Sequence, residues 1–338
     1  MPHWPGLMTN PRPTSPEAEQ VLGLYFPVLD HGFVSLVDYM GTDACIERAA
    51  RVSYGQGTRS THKTRGLLRY LRRHLHTTPS EMVELKFHCC MPIFVARQWI
   101  RHRTASVNEY SGRYSLMPML FYTPEPDQLK KQDSSNNQGR SGESLALERH
   151  EEAVERWTAV RALSRATYEW LTINDVAREL ARIDLPLSSY TQWYWKIDLH
   201  NLLHFLKLRL DAHAQWEIQQ YAKVMAGLVR RVAPLSYEAW IDYDVCGARL
   251  SRMELGALRQ LLMVQPDGTV RARNGMEMNP GKLEALGMSP REVQELVRKL
   301  MSSSVPDLTV DPSSAVAPEE FEERFAAAAP NTDFSDDD

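Results

Sequence analysis

The chain has 338 residues, 43% of them apolar, enough to fill one large core or two ordinary ones, and a net charge of -4. An acidic total argues against a sequence-independent nucleic-acid binder, which needs a basic stripe to displace counterions from phosphates. No apolar run approaches the roughly 18 residues of a membrane span, and no basic start leads into an apolar leader, so a cytoplasmic chain without membrane or nucleic-acid partners is expected.

Pro2, Pro5, Pro11, Pro13 and Pro16 make residues 1–20 an extended, disordered opening. "HGFVSLVDYMG" then predicts a strand ended by Gly41, and "TDACIERAARVS" a short helix with Thr42 or Asp43 as its N-cap. Between His62 and His76, Leu67, Leu68, Leu71 and Leu75 share one helical face. "ELKFHCCMP" alternates, with Leu85, Phe87, Cys89 and Met91 on one side, and reads as a strand stopped by Pro92. Pro92 also suits the first position of a helix, which Ile93, Ala96, Trp99 and Ile100 continue at helical spacing.

Residues 127–143 have little to bury and are expected to form a mobile surface insertion. Helices follow at about 145–171 and 175–183, then a Tyr/Trp-rich strand, "SSYTQWYWKI". Asp198 is the expected N-cap of a long helix whose Leu199, Leu202, Leu203, Leu206 and Leu210 hold one register. A catalytic domain over 21–245 is thus followed by a helical extension at 246–302, with a turn at "QPDGT", and by a disordered acidic tail at 303–338. From Glu319 onward eight acids face one arginine, so the rest of the chain is mildly basic. Strands and helices without regular βαβ alternation predict an α+β fold, a mixed sheet flanked by long helices.

Cys45, Cys89, Cys90 and Cys246 show no metal-binding spacing and read as free thiols. "GQGTRS" at 55–60 starts like a dinucleotide-binding loop but has Ser at the third glycine position and lacks the strand-then-helix setting, so it reads as a polar loop. His200 and His204 lie one helical turn apart, but no motif supplies further ligands; they are expected to line a pocket, with no metal. The arginine stretch is more specific. Arg97, Arg101, Arg103 and Arg113 offer four planar donor forks, interleaved with Ser106, Asn108, Ser111 and Gly112. A helix C-terminus attracts one or two cations, whereas this mixture suits a loop wrapped around a phosphate-bearing ligand.

"RHRTASVNEYSGRYS" has Arg101, His102 and Arg103, then seven residues, then Ser111. In this pattern the chain resembles the flavin-dependent thymidylate synthases, and "HTTPSE", "PIFVARQW", "ARIDLPL" and "LRLDAHAQWEIQQYA" resemble further segments of that family, in order, over about 32–243. The resemblance implies that family's fold and the methylation of dUMP to dTMP, with methylenetetrahydrofolate as carbon donor and NADPH reducing bound FAD. A homotetramer with active sites between subunits is likewise implied. Arg101, His102 and Arg103 would meet FAD phosphates, with Ser53, Thr78, Glu81 and Glu109 also around the flavin. Asp198, His200 and His204 would approach the flavin of a neighbouring subunit. Gln98, Trp99, Ile100, Arg101, Glu109, Tyr110, Ser111, Gly112, Arg113, Arg182 and Arg209 would hold dUMP. Arg209, Ser111 and His76 are the expected catalytic residues: Arg209 would stabilise the uracil as an anion, and His76 is tied to folate and turnover. Where several relatives carry asparagines on the long helix, this chain has Asp198 and His204. Two other readings fit the arginine loop: a nucleotide-binding regulatory module, and a flavin reductase that forms no dTMP.

Overall fold

The computed structural model describes residues 12–52, 64–134, 139–301 and 304–330. It divides into two compact units, one made of the chain up to Glu238 together with the segment from Leu308, the other of Ala239–Asp307. In the first unit a short helix α1 (Pro16–Glu19) precedes β1 (Tyr25–Val28) and β2 (Gly32–Met40), which pair as a hairpin. Helices α2 (Asp43–Val52), α3 (Thr64–Arg73) and α4 (Thr78–Glu81) lead to β3 (Glu84–Pro92), α5 (Ile93–Trp99) and the short β4 (Ser106–Glu109). After β5 (Lys130–Gln132) and β6 (Arg140–Ser144) come α6 (Leu147–Ile173), α7 (Arg178–Ala181) and β7 (Tyr190–Asp198). Helices α8 (Leu199–Arg209), α9 (Trp216–Val232) and α10 (Pro234–Trp240) follow.

The five-stranded sheet runs β1-β2-β3-β7-β4, and every pairing between its strands is antiparallel, where the sequence predicted a mixed sheet. Its spine is β3 against β7, nine residue pairs from Glu84↔Asp198 to Pro92↔Tyr190. Phe87, Met91, Trp193 and Trp195 are fully or almost fully buried, as are Leu202, Phe205 and Leu206 of α8 and Ile218, Tyr221 and Met225 of α9. Burying each such side chain contributes roughly 1.5 to 3 kcal/mol. Trp99, at the end of α5, stacks on Phe205 at 5.1 Å and meets Trp193 and Trp195 edge-on at 5.4 Å each.

Thr42 or Asp43 was expected to cap α2; Thr42 holds the position before the helix, its carbonyl accepting from Cys45 N and Ile46 N, and Asp43 is the first helical residue. The buried Asp43 carboxylate accepts from Leu235 N at 2.8 Å, Ser236 N at 3.0 Å and Ser236 Oγ at 2.6 Å, satisfying the first turn of α10. Burial raises its pKa against the pull of those three donors. The segments expected to be disordered or mobile are also tied down where they are described. Of residues 1–20, Ala18 is buried and Ser15 N donates to Tyr39 Oη at 2.9 Å. In 127–143, β5 and β6 form a hairpin whose Arg140 pairs with the buried Glu217 carboxylate, which also accepts from Tyr122 Oη at 3.1 Å. In the acidic tail, α14 (Pro318–Ala327), numbered after three helices of the second unit, buries Phe321 against Tyr25 and Phe33. The low apolar content of these segments hid a few well-placed anchors.

The second unit contains α11 (Arg252–Leu261), the hairpin β8 (Leu262–Val264) and β9 (Val270–Ala272), α12 (Pro280–Ala285) and α13 (Pro290–Met301). Ala257, Leu283, Met288, Val293 and Leu296 form its core. Ser251 and Glu254 make a capping box on α11, and Gly268 turns the hairpin at φ +85°. No helix among the described residues is long and apolar enough to cross a membrane. Asp43→Ala, which leaves three donors unpaired, is expected to lower unfolding stability by about 2 to 3 kcal/mol in urea titrations; an unchanged midpoint would remove Asp43 from the support of α10.

Candidate active site

The arginine loop leaves α5 at Ile100 and re-enters the sheet as β4, paired to the edge of β7. Arg101 and Arg103 are exposed and have no carboxylate partner among the described residues. His102 lies half-buried between them, its ring edge-on to Phe205 at 4.8 Å. Arg209, the last residue of α8, donates from Nε to His102 Nε2 at 3.1 Å, and its Nη2 lies 3.5 Å from the Gln98 carbonyl. An acceptor Nε2 requires a neutral imidazole with its proton on Nδ1. Burial, then the Arg209 charge, then His204 push the His102 pKa down to about 4, consistent with that state. Burial also lowers the pKa of Arg209, whose position at a helix C-terminus complements the macrodipole. The Gln98 side chain bonds to Gln215.

At the other end of β4, Glu109 accepts from Thr191 Oγ1 at 2.9 Å and Tyr110 N donates to the Gln192 carbonyl at 2.8 Å. The Ser111 carbonyl accepts from both Tyr114 N and Ser115 N at 3.1 Å, closing a turn. Gly112 is buried there, and a Cβ at this position would stand 2.7 Å from Met117 Sδ and 3.1 Å from Arg182 Cδ. The glycine therefore lets the backbone close against the Arg182 stem. Arg113 pairs with Glu179 at 3.0 Å, both exposed. Ser111, Gly112, Arg113 and Arg182 thus form one cradle.

The remaining candidates surround α8 and α4. Asp198 caps α8, accepting from Asn201 N at 2.9 Å and Asn201 Nδ2 at 2.7 Å, so both of its oxygens are engaged. His200 is half-buried, and its Nδ1 is shielded without a partner. Burial and the nearby Arg72 lower its pKa, opposed by Asp198 and Glu81. Beside them a cleft of about 760 Å³ is walled by Tyr70, Leu71, His76, Thr78, Pro79 and Met82. The aromatic and aliphatic walls of the cleft suit a flat ring system, and the exposed Arg101 and Arg103, which do not line it, supply the forks that phosphates take; as two separate features these residues fit a flavin dinucleotide.

Two predicted residues stand apart. Trp99 is fully buried in the aromatic core, so its side chain is a support and not a ligand contact. Ser53 and the "GQGTRS" loop fall outside the described residues. Sequence reasoning missed Glu179, Gln215, Thr191 and Met117, which hold the site residues from behind. Glu179 alone had a legible signal, three positions before Arg182 and just ahead of the "ARIDLPL" segment.

Fold and site together define an α+β protein with an arginine-rich loop at the edge of an antiparallel sheet. The family model described as "Thymidylate synthase complementing protein" matches residues 35–235. A "Flavin-dependent thymidylate synthase" from Wolbachia pipientis is 51% identical over 246 residues, covering 73% of this chain and 86% of the relative. One from Rickettsia bellii is 46% identical over 297 residues, 84% of this chain and 96% of the relative. The crystal structure of a UMP/dUMP methylase, PolB from Streptomyces cacaoi, bound with 5-Br UMP, superposes with TM-score 0.58 and 32% identity over 65% of this chain and 98% of that one. The chain belongs to the flavin-dependent thymidylate synthase family.

Histidine-detected NMR should show His102 neutral, protonated at Nδ1, and titrating near 4. Arg209→Ala should move that titration upward, because one charge opposing protonation is gone. Wild-type titration at the ordinary value, about 6.5, would break the assigned contact.

Proposed function

We propose that the chain converts dUMP to dTMP, taking carbon from methylenetetrahydrofolate and reducing equivalents from NADPH through bound FAD. The observation that carries this reading is Arg209, half-buried and held by a neutral His102 beside two arginines without carboxylate partners. In this reading the flavin supplies the hydride chemistry, and the chain supplies placement and electrostatics. Arg101 and Arg103 hold the pyrophosphate; Thr78, Glu81, His200 and His204 border the flavin, and His76, which lines the cleft, serves folate. Asp198 acts through the cap, fixing the turn that presents His200.

The cradle of Ser111, Gly112, Arg113 and Arg182 holds the dUMP phosphate, with Gln98, Glu109 and Tyr110 shaping its approach. Arg209 faces the uracil and stabilises negative charge as it develops, making the ring carbon a better nucleophile. A preorganised donor of this kind contributes about 3 to 4 kcal/mol to the transition state. Thiolate attack on the ring by Cys89 or Cys90 is disfavoured: both are fully buried and burial drives both pKa values up.

Exposed Val160, Leu163, Trp170 and Ile173 on α6, with Leu180, Ile183 and Leu187 near Arg182, support assembly into a homotetramer with shared sites. A solution mass equal to one protomer would refute the assembly.

Purified protein given dUMP, methylenetetrahydrofolate and NADPH should form about one dTMP per NADPH consumed, and only when FAD is bound. NADPH oxidation without dTMP would reassign the chain as a flavin reductase, and dUMP binding without turnover as a regulatory module. Arg209→Ala should keep its flavin colour yet lose at least about 100-fold in turnover. Arg103→Ala should instead lower flavin occupancy; full occupancy would remove Arg103 from the pyrophosphate site.

A further inference from the structure

The chain returns to the first unit at Leu308 and runs as a strap across it. Leu308 is buried, and a Cβ on Gly227 of α9 would overlap Val310, so a glycine in mid-helix lets the strap lie against α9. Arg231 Nη2 donates to the Val310 carbonyl at 3.1 Å. Val316 then exchanges both backbone hydrogen bonds with Tyr25, Val316 N to Tyr25 O at 2.8 Å and Tyr25 N to Val316 O at 3.2 Å, occupying the open edge of β1. Phe321 of α14 fills an aromatic cage with Phe33 at 4.9 Å and Tyr25 at 5.8 Å, beside Cys90, Tyr122 and Tyr190. This explains why Cys90, on the face of β3 opposite the tryptophan core, is fully buried.

The last turn of α14 ends the strap. The Ala328 carbonyl, one of the four that a helix C-terminus leaves unbonded, accepts from Met119 N at 2.9 Å. Met119 belongs to the cluster of Met117, Tyr168 and Ala181 that packs with Tyr110, Leu116 and Leu185. Met117 in that cluster is the side chain that bars a Cβ at Gly112. One continuous series of contacts therefore runs from the tail to the cradle: Ala328 to Met119, the cluster to Met117, and Met117 to Gly112.

We propose that the C-terminal strap, Leu308 to Ala328, is a positioning element for the Ser111–Gly112–Arg113 cradle, setting affinity for the nucleoside monophosphate through Met119 and Met117. The inference rests on the cradle assignment made above. It gives the tail a role in substrate binding without a direct contact to substrate.

The test uses flavin-loaded full-length enzyme beside two shortened chains. One ends at Pro330 and loses four aspartates but keeps the Ala328 carbonyl; the other ends at Phe325 and loses the carbonyl while keeping Phe321 seated. The first should show the full-length KM for dUMP. The second should show a KM raised about five- to ten-fold, as expected for one lost hydrogen bond and a looser loop. Its kcat at saturating dUMP and its flavin content should stay within about two-fold, a split that general loosening of the fold would not give. Equal KM for the two shortened chains overturns the proposal, as does a parallel fall in kcat and flavin content. Amide exchange gives a second measurement in the intact chain: Met119 N–H should be protected, and fast exchange there overturns the proposal even if the shorter chain fails to fold. Arg113→Ala separates the two levels. If it raises KM while the strap ends do not matter, the strap role fails and the cradle stands; if it leaves KM unchanged, the cradle fails and the strap has no target.

Discussion

The contact between Trp99 and Phe205 sets the geometry of the site. Trp99 closes α5, which leaves the end of β3, and Phe205 lies on α8, which leaves the end of β7. Those strands are paired over nine residues, so both helices start from fixed points on one sheet. Stacking at 5.1 Å then fixes one helix against the other. Three residues beyond Trp99 comes His102, and four beyond Phe205, one helical turn, comes Arg209. The 3.1 Å contact between those two is therefore a consequence of core packing. Aromatic pairs contribute about 0.5 to 1.5 kcal/mol beyond area burial, and four such contacts converge on Trp99, from Trp193, Trp195, Phe205 and Tyr221.

Electrostatics follows from that placement. Two guanidiniums without carboxylate partners and a half-buried Arg209 repel one another, a cost that an acidic chain could have relieved with nearby carboxylates. Glu179 pairs with Arg113, but no acid among the described residues pairs with Arg101 or Arg103: Glu109 faces Thr191, Asp198 caps its helix, and the tail carries the largest negative block. Keeping His102 neutral avoids adding a further positive charge and leaves an acceptor for Arg209. The result is a loop end, Arg101 to Arg103, whose positive charge no nearby carboxylate among the described residues offsets.

Much of this was legible in the sequence because it is local. The bounds of β3, the N-cap of α8 and the Arg-His-Arg motif all depend on residues within one strand or one turn, where period and cap chemistry are read directly. What escaped depends on partners distant in sequence. Asp43 looks like a cap for its own helix, and only the fold reveals that Leu235 and Ser236 take its oxygens. Trp99 carries the same helical spacing as a pocket residue would, and burial alone tells the two apart. Cys90 sits on the side of β3 that alternation assigns to solvent, but Phe321 covers that side from more than 200 residues away. Periodicity marks which side chains share a face and is silent about what covers it.

The rigidity of β4 gives the loop its dual character. Seven residues separate Arg103 from Ser111, and the four of them in β4, Ser106–Glu109, span about 13 Å at the usual strand rise. Pairing with β7 along that length prevents the span from stretching or slipping, since a one-residue slip would turn Glu109 away from Thr191. In the proposed reading, two anions held at a fixed separation on one edge strand would have their attached rings in a fixed relation as well, and Arg209 stands at the first of those two ends. A flexible connection could bind the same two ligands, but it would spend part of the binding energy on ordering the loop at every turnover. In the proposed reading, an edge strand, otherwise a liability for aggregation, serves as a spacer between two binding sites.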